Sequence, residues 1–358
     1  MPEDRTPLLP GRLGAPAMTL RDDPRADPRM IEAMEPFALA DPPDDSMVDS
    51  DAPIEALLEY VGAAEEGFEG LFVALTADLP PVEGVERSVE VIQGVDGNDV
   101  TLYIHRPRAA SSSVPGVLHL HGGGMVLLEA AGASFMRLRD DLAATGMVVV
   151  GVEFRNGGGK HGPYPFPAGL NDCTSALRWV VDNKATLGIS QLIISGESGG
   201  GNLTLATMLK AKRDGLIDQV SGAYALCPYI SNGYGDRPSE LVSLYENDGY
   251  FLSCRMMAGL ARVYDPDREH TTDPLAWPLH ATREDLVGLP PHVISVNQLD
   301  PLRDEGLAYY RKLVGAGVPT VSRTVNGTCH AGDLIFHEAM PDVFQATLRD
   351  IKGFAESL

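Results

Sequence analysis

The sequence predicts an α/β fold in which a central, mostly parallel sheet is flanked by helices. Short apolar runs recur along the chain, and helix-length segments separate most of them from one another. Strands that are buried on both faces of a parallel sheet have this composition, because helices cover both faces. The runs occupy residues 117–120, 147–152, 192–194, 223–226, 293–296 and 320–325, and a final helix is predicted near residues 337–355.

The chain ahead of these runs predicts helices and then a hairpin. Residues 53–79 repeat apolar side chains at three- and four-residue spacing, which indicates one or two amphipathic helices. Alternating apolar residues follow on both sides of Asp96 and Gly97, which predicts two strands joined by a two-residue turn. With the hairpin, an eight-stranded sheet is expected.

Nearly fifty residues interrupt the alternation of strands and helices after the fourth apolar run. Insertions of this size beside a sheet usually form lids or caps over a binding site. The predicted organisation is therefore N-terminal helices over 1–84, a first part of the core over 85–229, a cap insertion over 230–277 and a second part of the core over 278–358, and the family resemblance described below implies that the N-terminal helices also belong to the cap.

Composition limits the class of protein and its partners. The chain has 358 residues, of which 44% are hydrophobic and 22% charged, so it can bury a large core. Its formal net charge of −22 argues against nucleic acid or an anionic membrane as a partner, because an acidic surface repels phosphate. No secretory signal or long apolar run is present, and the four cysteines show no close pairing. A cytoplasmic location with buried thiols is expected.

The segment Gly196-Glu197-Ser198-Gly199-Gly200 matches the Gly-x-Ser-x-Gly pattern of a nucleophile elbow. It lies between an apolar run and a helix-like segment, so Ser198 is expected at a sharp strand-to-helix bend. Small residues two positions away on each side let the strand and helix approach each other. In a chain with 38 glycines the pattern alone is weak, and the rest of the site has to support it.

A serine hydroxyl needs a general base, and that base needs an acidic group to hold its tautomer. Asp300 and His330 each follow a predicted strand, and the order Ser198, Asp300, His330 is that of an α/β-hydrolase. Alternatives stay open for both residues. The alternative role for Asp300 is that of a helix N-cap, and Asp304 is the next candidate for the acid. The alternative for His330 is a loop histidine that is hydrogen-bonded to the backbone.

Residues 121–124, His-Gly-Gly-Gly, directly follow the apolar run 117–120. Glycines leave their backbone N–H groups uncovered, and such groups can stabilise the oxyanion of a tetrahedral intermediate. Gly123 and Gly124, together with Gly199 after the nucleophile, are the predicted donors. A phosphate-binding loop is the competing interpretation, but no Lys-Ser or Lys-Thr pair follows the glycines.

The remaining predictions concern side chains around the nucleophile. Glu197 precedes Ser198 and is expected to point away from it, in an outer layer of the site or at the surface. Aromatic residues and methionines near the motifs are candidates for lining a substrate pocket, although such residues fill cores at least as often. The candidates are Met125, Tyr229, Phe251, Met256 and Met257.

These motifs together resemble those of the bacterial hormone-sensitive-lipase-like esterases of the α/β-hydrolase superfamily. The resemblance also includes Pro165-Phe166-Pro167, Asp172 and the Asp300-Pro301-Leu302-Arg303-Asp304 segment, and it extends over nearly the whole chain. Most of the family has Asp and Ala where this chain has Glu197 and Gly199. The resemblance implies a helical cap and ester hydrolysis that needs neither a cofactor nor a metal.

The functional hypothesis is a serine carboxylesterase that acts on a small-molecule ester, of short to medium chain length or bulky. Cleavage of lactones, amides or carbamates by the same residues is the first alternative. A non-catalytic receptor on the same fold is the second, although such receptors typically lose one of the three residues that this chain keeps. Similar esterases are often dimers, so a homodimer is expected. Cys329, next to His330, is interpreted as an inert packed thiol or, less simply, as a group that tunes access to His330.

Overall fold

The computed structural model describes residues 9–41, 48–108 and 112–358. Its strands are β1 (Val85–Gln93), β2 (Asp99–Pro107), β3 (Val114–Leu120), β4 (Val148–Glu153), β5 (Ile189–Glu197), β6 (Gly222–Leu226), β7 (His292–Asn297) and β8 (Thr320–Val325). They form an eight-stranded sheet in the order β1-β2-β4-β3-β5-β6-β7-β8. The pairs β1–β2 and β2–β4 are antiparallel and the other neighbours are parallel, which confirms the predicted mostly parallel sheet.

Helices flank this sheet and cover one of its ends. The longer α-helices are α3 (Ile54–Thr76), α4 (Ala133–Ala144), α5 (Ala168–Asp182), α7 (Gly199–Arg213), α9 (Cys254–Tyr264), α11 (Arg303–Gly315) and α13 (Pro341–Glu356). The short ones are α1 (Gly11–Gly14), α2 (Pro28–Met34), α6 (Lys184–Leu187), α8 (Ser243–Glu246), α10 (Arg283–Leu286) and α12 (Gly332–Ile335). In the described ranges, no helix combines the length and the apolar character that a membrane span requires.

The central strands owe their composition to burial on both faces. Every residue of β6 and β7 is buried, and so are all but the last residue of β4. Branched apolar side chains fit such pleated, two-sided surfaces, which explains the continuous Val and Ile runs of the sequence. Helix α7 packs on β5 and β6, and α11 packs on β7. The four cysteines are buried and free, as expected.

Two local features differ in detail from the predictions. The hairpin loop spans residues 94–98, because pairing between β1 and β2 ends at Gln93 and Asp99. Its closing bond runs from the Gly94 N–H to the Asn98 carbonyl at 2.7 Å, so the turn is longer than two residues. The helical pattern of residues 53–79 forms one continuous helix, α3.

The N-terminal segment contacts both the insertion and the second part of the core. Helix α3 packs against α4 and α9, and α1 packs against α8. The Glu246 carboxylate of α8 pairs with Arg25 and, at 2.9 Å, with Arg303 at the start of α11. Arg25 also pairs with the buried Asp23 at 2.7 Å. These ion pairs join segments that are distant in sequence, while the division into cap and core stays a prediction.

A buried carboxylate ties the start of the insertion to α11. Glu305 Oε1 accepts a hydrogen bond from the Ile230 N–H at 2.7 Å, and Oε2 accepts one from the Tyr234 hydroxyl at 2.7 Å. Burial raises the pKa of Glu305 to about 8, the charge of Asp300 adds to this, and the two hydrogen bonds oppose it. Glu305 is therefore protonated in the folded protein at pH values where a free glutamate is ionised.

The close packing of the elbow predicts that a Gly→Ala substitution there changes the free energy of unfolding very differently from a Gly→Ala substitution in α3. A Cβ atom on Gly200 would lie 1.9 Å from the Leu120 carbonyl oxygen, whereas one on Gly67, in α3, would have no neighbour within 4 Å. Gly200→Ala should lower the free energy of unfolding by roughly 3 kcal/mol or more. Gly67→Ala should raise it by about 0.5–1 kcal/mol. Urea unfolding measures both, and equal effects would contradict the close approach.

Glu305 predicts a specific pH dependence of stability. Its pKa is about 8 when folded against an ordinary value of 4.5, so between these pH values the folded state holds a proton that the unfolded state has lost. Its contribution to the free energy of unfolding therefore falls as the pH rises. Glu305→Gln cannot ionise, so its stability relative to wild type should rise by up to about 1.4 kcal/mol per pH unit in this range.

Urea unfolding at several pH values between 5 and 8, about one unit apart, tests this dependence. Glu284→Gln is the matched control, because Glu284 is an exposed carboxylate on α10. Its stability relative to wild type should not change with pH. A Glu305→Gln curve that runs parallel to wild type would show that Glu305 ionises normally.

Candidate active site

Ser198 lies at the junction of β5 and α7 in a left-handed backbone conformation, with φ +56° and ψ −118°. Non-glycine residues rarely adopt this conformation, and here the surroundings hold it. The Ser198 N–H donates to the Leu226 carbonyl at 2.9 Å, and the Ser198 carbonyl accepts from the Tyr229 N–H at 3.0 Å. A Cβ atom on Gly196 would lie 2.4 Å from the Leu120 carbonyl oxygen, so the motif residues are required by close packing.

His330 and Asp300 form a buried pair near the carboxyl ends of β7 and β8. His330 Nδ1 lies 2.8 Å from Asp300 Oδ2, and Asp300 is fully buried. Asp300 Oδ1 accepts from the Leu302 N–H at 2.8 Å, in the turn before α11, whose N-cap residue is Leu302 rather than Asp300. Asp304, the rival acid, instead accepts from Arg303 Nε at 2.9 Å and from the Ser243 N–H at 2.8 Å.

The glycine loop after β3 lies directly beside the elbow. Gly123 and Gly124 have φ values of +114° and +61°. A Cβ atom on Gly199 would lie 2.6 Å from the Gly124 nitrogen and 2.5 Å from the Met125 nitrogen, so this close approach requires glycine at position 199. Within the described part of the chain, the N–H groups of these three glycines have no protein hydrogen-bond acceptor. Gly123 and Gly124 also line the cavity into which Ser198 opens.

Glu197 is buried and takes part in holding the glycine loop, which excludes the surface position considered from the sequence. It is 4% exposed, and its Oε1 atom accepts from the Gly122 N–H at 2.9 Å. Its Oε2 atom lies 3.0 Å from His119 Nε2. Residues two positions apart in a strand share a face, so the sequence places His119 on the same face as His121. This is only a weak indication of the contact between His119 and Glu197. The sequence alone did not show that Glu197 reaches the loop.

His121 serves the loop as a neutral, stacked ring. Its imidazole lies parallel to the Phe154 ring, with 4.1 Å between ring centroids, and its Nδ1 donates to the Gly122 carbonyl at 2.7 Å. Burial lowers the pKa of His121 to about 3. The ring therefore carries no charge at neutral pH and acts as a fixed hydrogen-bond donor to the backbone.

Ser198 and His330 open into the same cavity, which encloses about 740 Å³ including its mouth. Its lining is apolar except for Ser134, Glu197, Ser198 and His330. The apolar side chains that line it are Phe68, Phe72, Leu127, Leu128, Phe135, Leu138, Phe251, Leu252, Met256, Met257, Leu260, Ala331, Leu334 and Ile335. Such a cavity suits an uncharged, largely apolar ligand.

Three of the five predicted pocket residues, Phe251, Met256 and Met257, line this cavity, whereas Met125 and Tyr229 do not. The Met125 side chain is almost fully buried. Tyr229 is fully buried and donates its hydroxyl to the Met257 carbonyl. Both follow a strand of the central sheet by a few residues and are buried within the hydrophobic core.

The sequence analysis missed the lining residues of α3 and α4. Phe68 and Phe72 lie one turn apart on α3, and their rings are 6.1 Å apart. Phe72 also contacts Phe135 of α4 edge to face at 5.9 Å. The helical spacing of these two α3 residues was visible in the sequence, but which element the helix covers depends on tertiary packing.

Two buried thiols lie next to the pair of His330 and Asp300. Cys227, Asp300 and His330 are the described residues whose ligand atoms are close enough to hold a metal ion, within 4.8 Å of one another. Burial raises the pKa of the Cys227 thiol well above its ordinary value, with the charge of Asp300 adding to it. Two of the three groups are accounted for by the hydrogen-bonded pair, because His330 Nδ1 lies 2.8 Å from Asp300 Oδ2. The Cys329 thiol is likewise buried with a raised pKa, which fits an inert packed side chain.

Comparison with known proteins agrees with this geometry. Residues 117–333 match the model of a family described as having the alpha/beta hydrolase fold. The structure is similar to that of brefeldin A esterase, a bacterial homologue of human hormone sensitive lipase, with a TM-score of 0.94 and 45% identity, covering 98% of each chain.

Two curated relatives are also similar in sequence. Carboxylesterase NlhH of Mycobacterium tuberculosis is 31% identical over 292 residues, which cover 78% of this chain and 84% of the relative. An arylesterase of Saccharolobus solfataricus is 35% identical over 220 residues, which cover 60% of this chain and 67% of the relative. As its motifs predicted, the chain belongs to the α/β-hydrolase family, among the esterases related to hormone-sensitive lipase.

Proposed function

We propose that this protein is a serine carboxylic ester hydrolase in which Ser198, His330 and Asp300 are the catalytic residues. The observation that carries the proposal is the 2.8 Å contact between His330 Nδ1 and Asp300 Oδ2, in a cavity that Ser198 also lines. A histidine held by a carboxylate at Nδ1 presents Nε2 as a base. The ester-hydrolase names of the relatives support the same reaction.

The reaction proceeds in two halves. Ser198 Oγ attacks the ester carbonyl carbon while His330 accepts the hydroxyl proton, and Asp300 stabilises the imidazolium that forms. The C–O bond to the leaving group then breaks, and His330 returns the proton to the departing alkoxide. In the second half His330 takes a proton from water while the water oxygen attacks the acyl carbon. The C–O bond to Ser198 then breaks, His330 returns the proton to Ser198 Oγ, and the carboxylic acid leaves.

The oxyanion that forms in each half is stabilised by backbone N–H groups of Gly123, Gly124 and Gly199. These groups have no protein acceptor within the described residues, and the backbone that carries them is already in place before substrate binds. Preorganised donors stabilise the transition state without a reorganisation cost. The predicted oxyanion hole thus becomes part of the proposal with the same three residues.

The cavity suggests which esters are accepted. Among the residues that the structure describes, no lysine or arginine lines it, so a substrate with an anionic acyl or alcohol part would lose its hydration without gaining a partner. We propose uncharged esters of short to medium chain length, or bulky ones, as substrates. We also propose that α3 and the insertion 230–277 form the cap, because both contribute aromatic or methionine side chains to the lining.

Ser198→Ala tests the nucleophile. This substitution should lower kcat for a chromogenic short-chain ester by roughly 10⁵- to 10⁶-fold while the free energy of unfolding stays close to wild type.

Turnover of the wild type on a panel of esters of graded acyl length, lactones and amides separates the related hydrolase activities. Higher kcat/KM on a lactone or amide would replace the ester assignment, and tight binding without any turnover would indicate a receptor.

Asp300→Asn and Asp304→Asn form a matched pair that tests the acid. Asp300→Asn should lower kcat about 10³- to 10⁴-fold, because an amide no longer holds His330 in the required tautomer. Asp304 bonds to Arg303 and to the Ser243 N–H, so Asp304→Asn should leave kcat within about threefold of wild type. Steady-state kinetics at saturating ester measure both variants. A larger loss in Asp304→Asn would transfer the acid role to that residue.

A further inference from the structure

A buried carboxylate on the N-terminal helix α3 holds two loops of the active site. Glu65 is 2% exposed, and its Oε1 atom accepts a hydrogen bond from the Leu128 N–H at 2.7 Å. Its Oε2 atom accepts one from the Lys160 N–H at 2.8 Å. Leu128 ends the oxyanion loop, here defined as residues 121–128, and Lys160 belongs to the loop after β4. Each carboxylate oxygen thus binds the backbone of a different loop.

The oxyanion loop needs such support because its backbone is strained. Gly123, Gly124, Met125 and Leu128 all have positive φ, at +114°, +61°, +61° and +76°. Two of these residues carry side chains, which seldom adopt left-handed conformations. A backbone of this kind persists only where the surrounding structure holds it in place. The contacts that hold the loop are therefore candidates for controlling its geometry.

The loop after β4 supplies part of that support. The Gly157 N–H donates to the Met125 carbonyl and the Gly158 N–H to the Val126 carbonyl, each at 2.9 Å. The Asn156 side chain donates to the Leu128 carbonyl at 2.6 Å. The two loops therefore run side by side through hydrogen bonds. Glu65 closes this arrangement from α3, because it accepts one N–H from each of the two loops.

Leu128 is coupled to the glycines that carry the proposed oxyanion donors. The N–H groups of Val126 and Leu127 both donate to the Gly123 carbonyl at 3.0 Å. A Cβ atom on Gly123 would lie 2.0 Å from the Leu127 carbonyl oxygen, so these two residues are in close contact. A shift of Leu128 away from Glu65 would therefore move Leu127 and, with it, the N–H groups of Gly123 and Gly124.

We propose that Glu65 is a positioning residue for the oxyanion hole, acting through the backbone of Leu128 and Lys160. Helix α3 then has two roles, since Phe68 and Phe72 on the same helix line the substrate cavity. Oxyanion stabilisation depends in this way on the N-terminal helix that covers the site. The inference rests on the proposed ester-hydrolase function, because only that function gives the loop an oxyanion to bind.

Glu65→Gln is the most direct test, since the two side chains have nearly the same shape. Glutamine offers one oxygen and one NH2 group, so one of the two loop N–H groups would face another donor. We expect kcat to fall about 10- to 100-fold with KM within about threefold of wild type, because the change affects an interaction made mainly in the transition state.

A trifluoromethyl ketone provides the second readout. It adds to the serine hydroxyl and forms an anionic adduct whose oxygen requires the oxyanion hole. Its affinity should fall in parallel with kcat/KM in Glu65→Gln, since both depend on stabilising that oxygen. A general loss of packing would instead raise KM or lower stability without this parallel. Urea unfolding of the same variants measures the stability directly.

Two further variants complete the experiment. Glu66→Gln changes the neighbouring, exposed glutamate of α3 and should leave both readouts unchanged. Gly159→Ala disturbs the contact between Glu65 and the loop after β4 without altering Glu65, because a Cβ atom there would lie 2.6 Å from Glu65 Oε1 on a backbone with φ +60°. Gly159→Ala should also lower kcat and inhibitor affinity together, and it decides the question if Glu65→Gln does not fold.

The outcomes separate this inference from the proposed function. If Glu65→Gln or Gly159→Ala folds and keeps wild-type kcat and inhibitor affinity while Ser198→Ala is inactive, the positioning role is wrong and the ester hydrolase stands. A loss confined to KM or to stability would also overturn it. If Ser198→Ala retains turnover, the proposed function itself fails.

Discussion

The close approach of β5 and α7 to the end of β3 is the constraint on which the rest of the site depends. Gly196 and Gly200 both lie against the Leu120 carbonyl, where a Cβ atom would be 2.4 Å and 1.9 Å away. This contact places the left-handed Ser198 at the end of the sheet and brings the loop after β3 beside it. Ser198 and the glycine loop are therefore positioned by one packing arrangement.

Two buried carboxylates and one half-buried carboxylate accept hydrogen bonds from the neighbouring loops. Glu197, from β5, accepts the Gly122 N–H, Glu153, from β4, accepts the Ala130 N–H at 2.8 Å, and Glu65 accepts the Leu128 N–H. A carboxylate that accepts backbone hydrogen bonds satisfies donors that would otherwise be buried without partners. The three glutamates come from two strands and a helix, so the loop conformation depends on the assembled fold.

Much of the fold and of the candidate site could be predicted because their signals are local. Continuous apolar runs indicated the parallel strands, and residues that follow strand ends indicated Ser198, Asp300 and His330. What failed depended on contacts between distant segments. Met125 was placed in the pocket from its type and position, yet its side chain is buried in the core. The burial of Glu197 beneath the glycine loop gave no clear sequence pattern.

Periodicity and backbone requirements are properties of short segments, so the mostly parallel sheet, the order of the three site residues and the glycines of the loop could be predicted from the residues alone. The packing of distant segments, in contrast, brings Asp300 rather than Asp304 to His330 and brings Glu65 to the loop 121–128. The contact between Asp300 and His330 joins residues 30 positions apart, and the contact between Glu65 and Leu128 joins residues 63 positions apart. Helix packing selects these partners from several candidates. No local pattern encodes that choice.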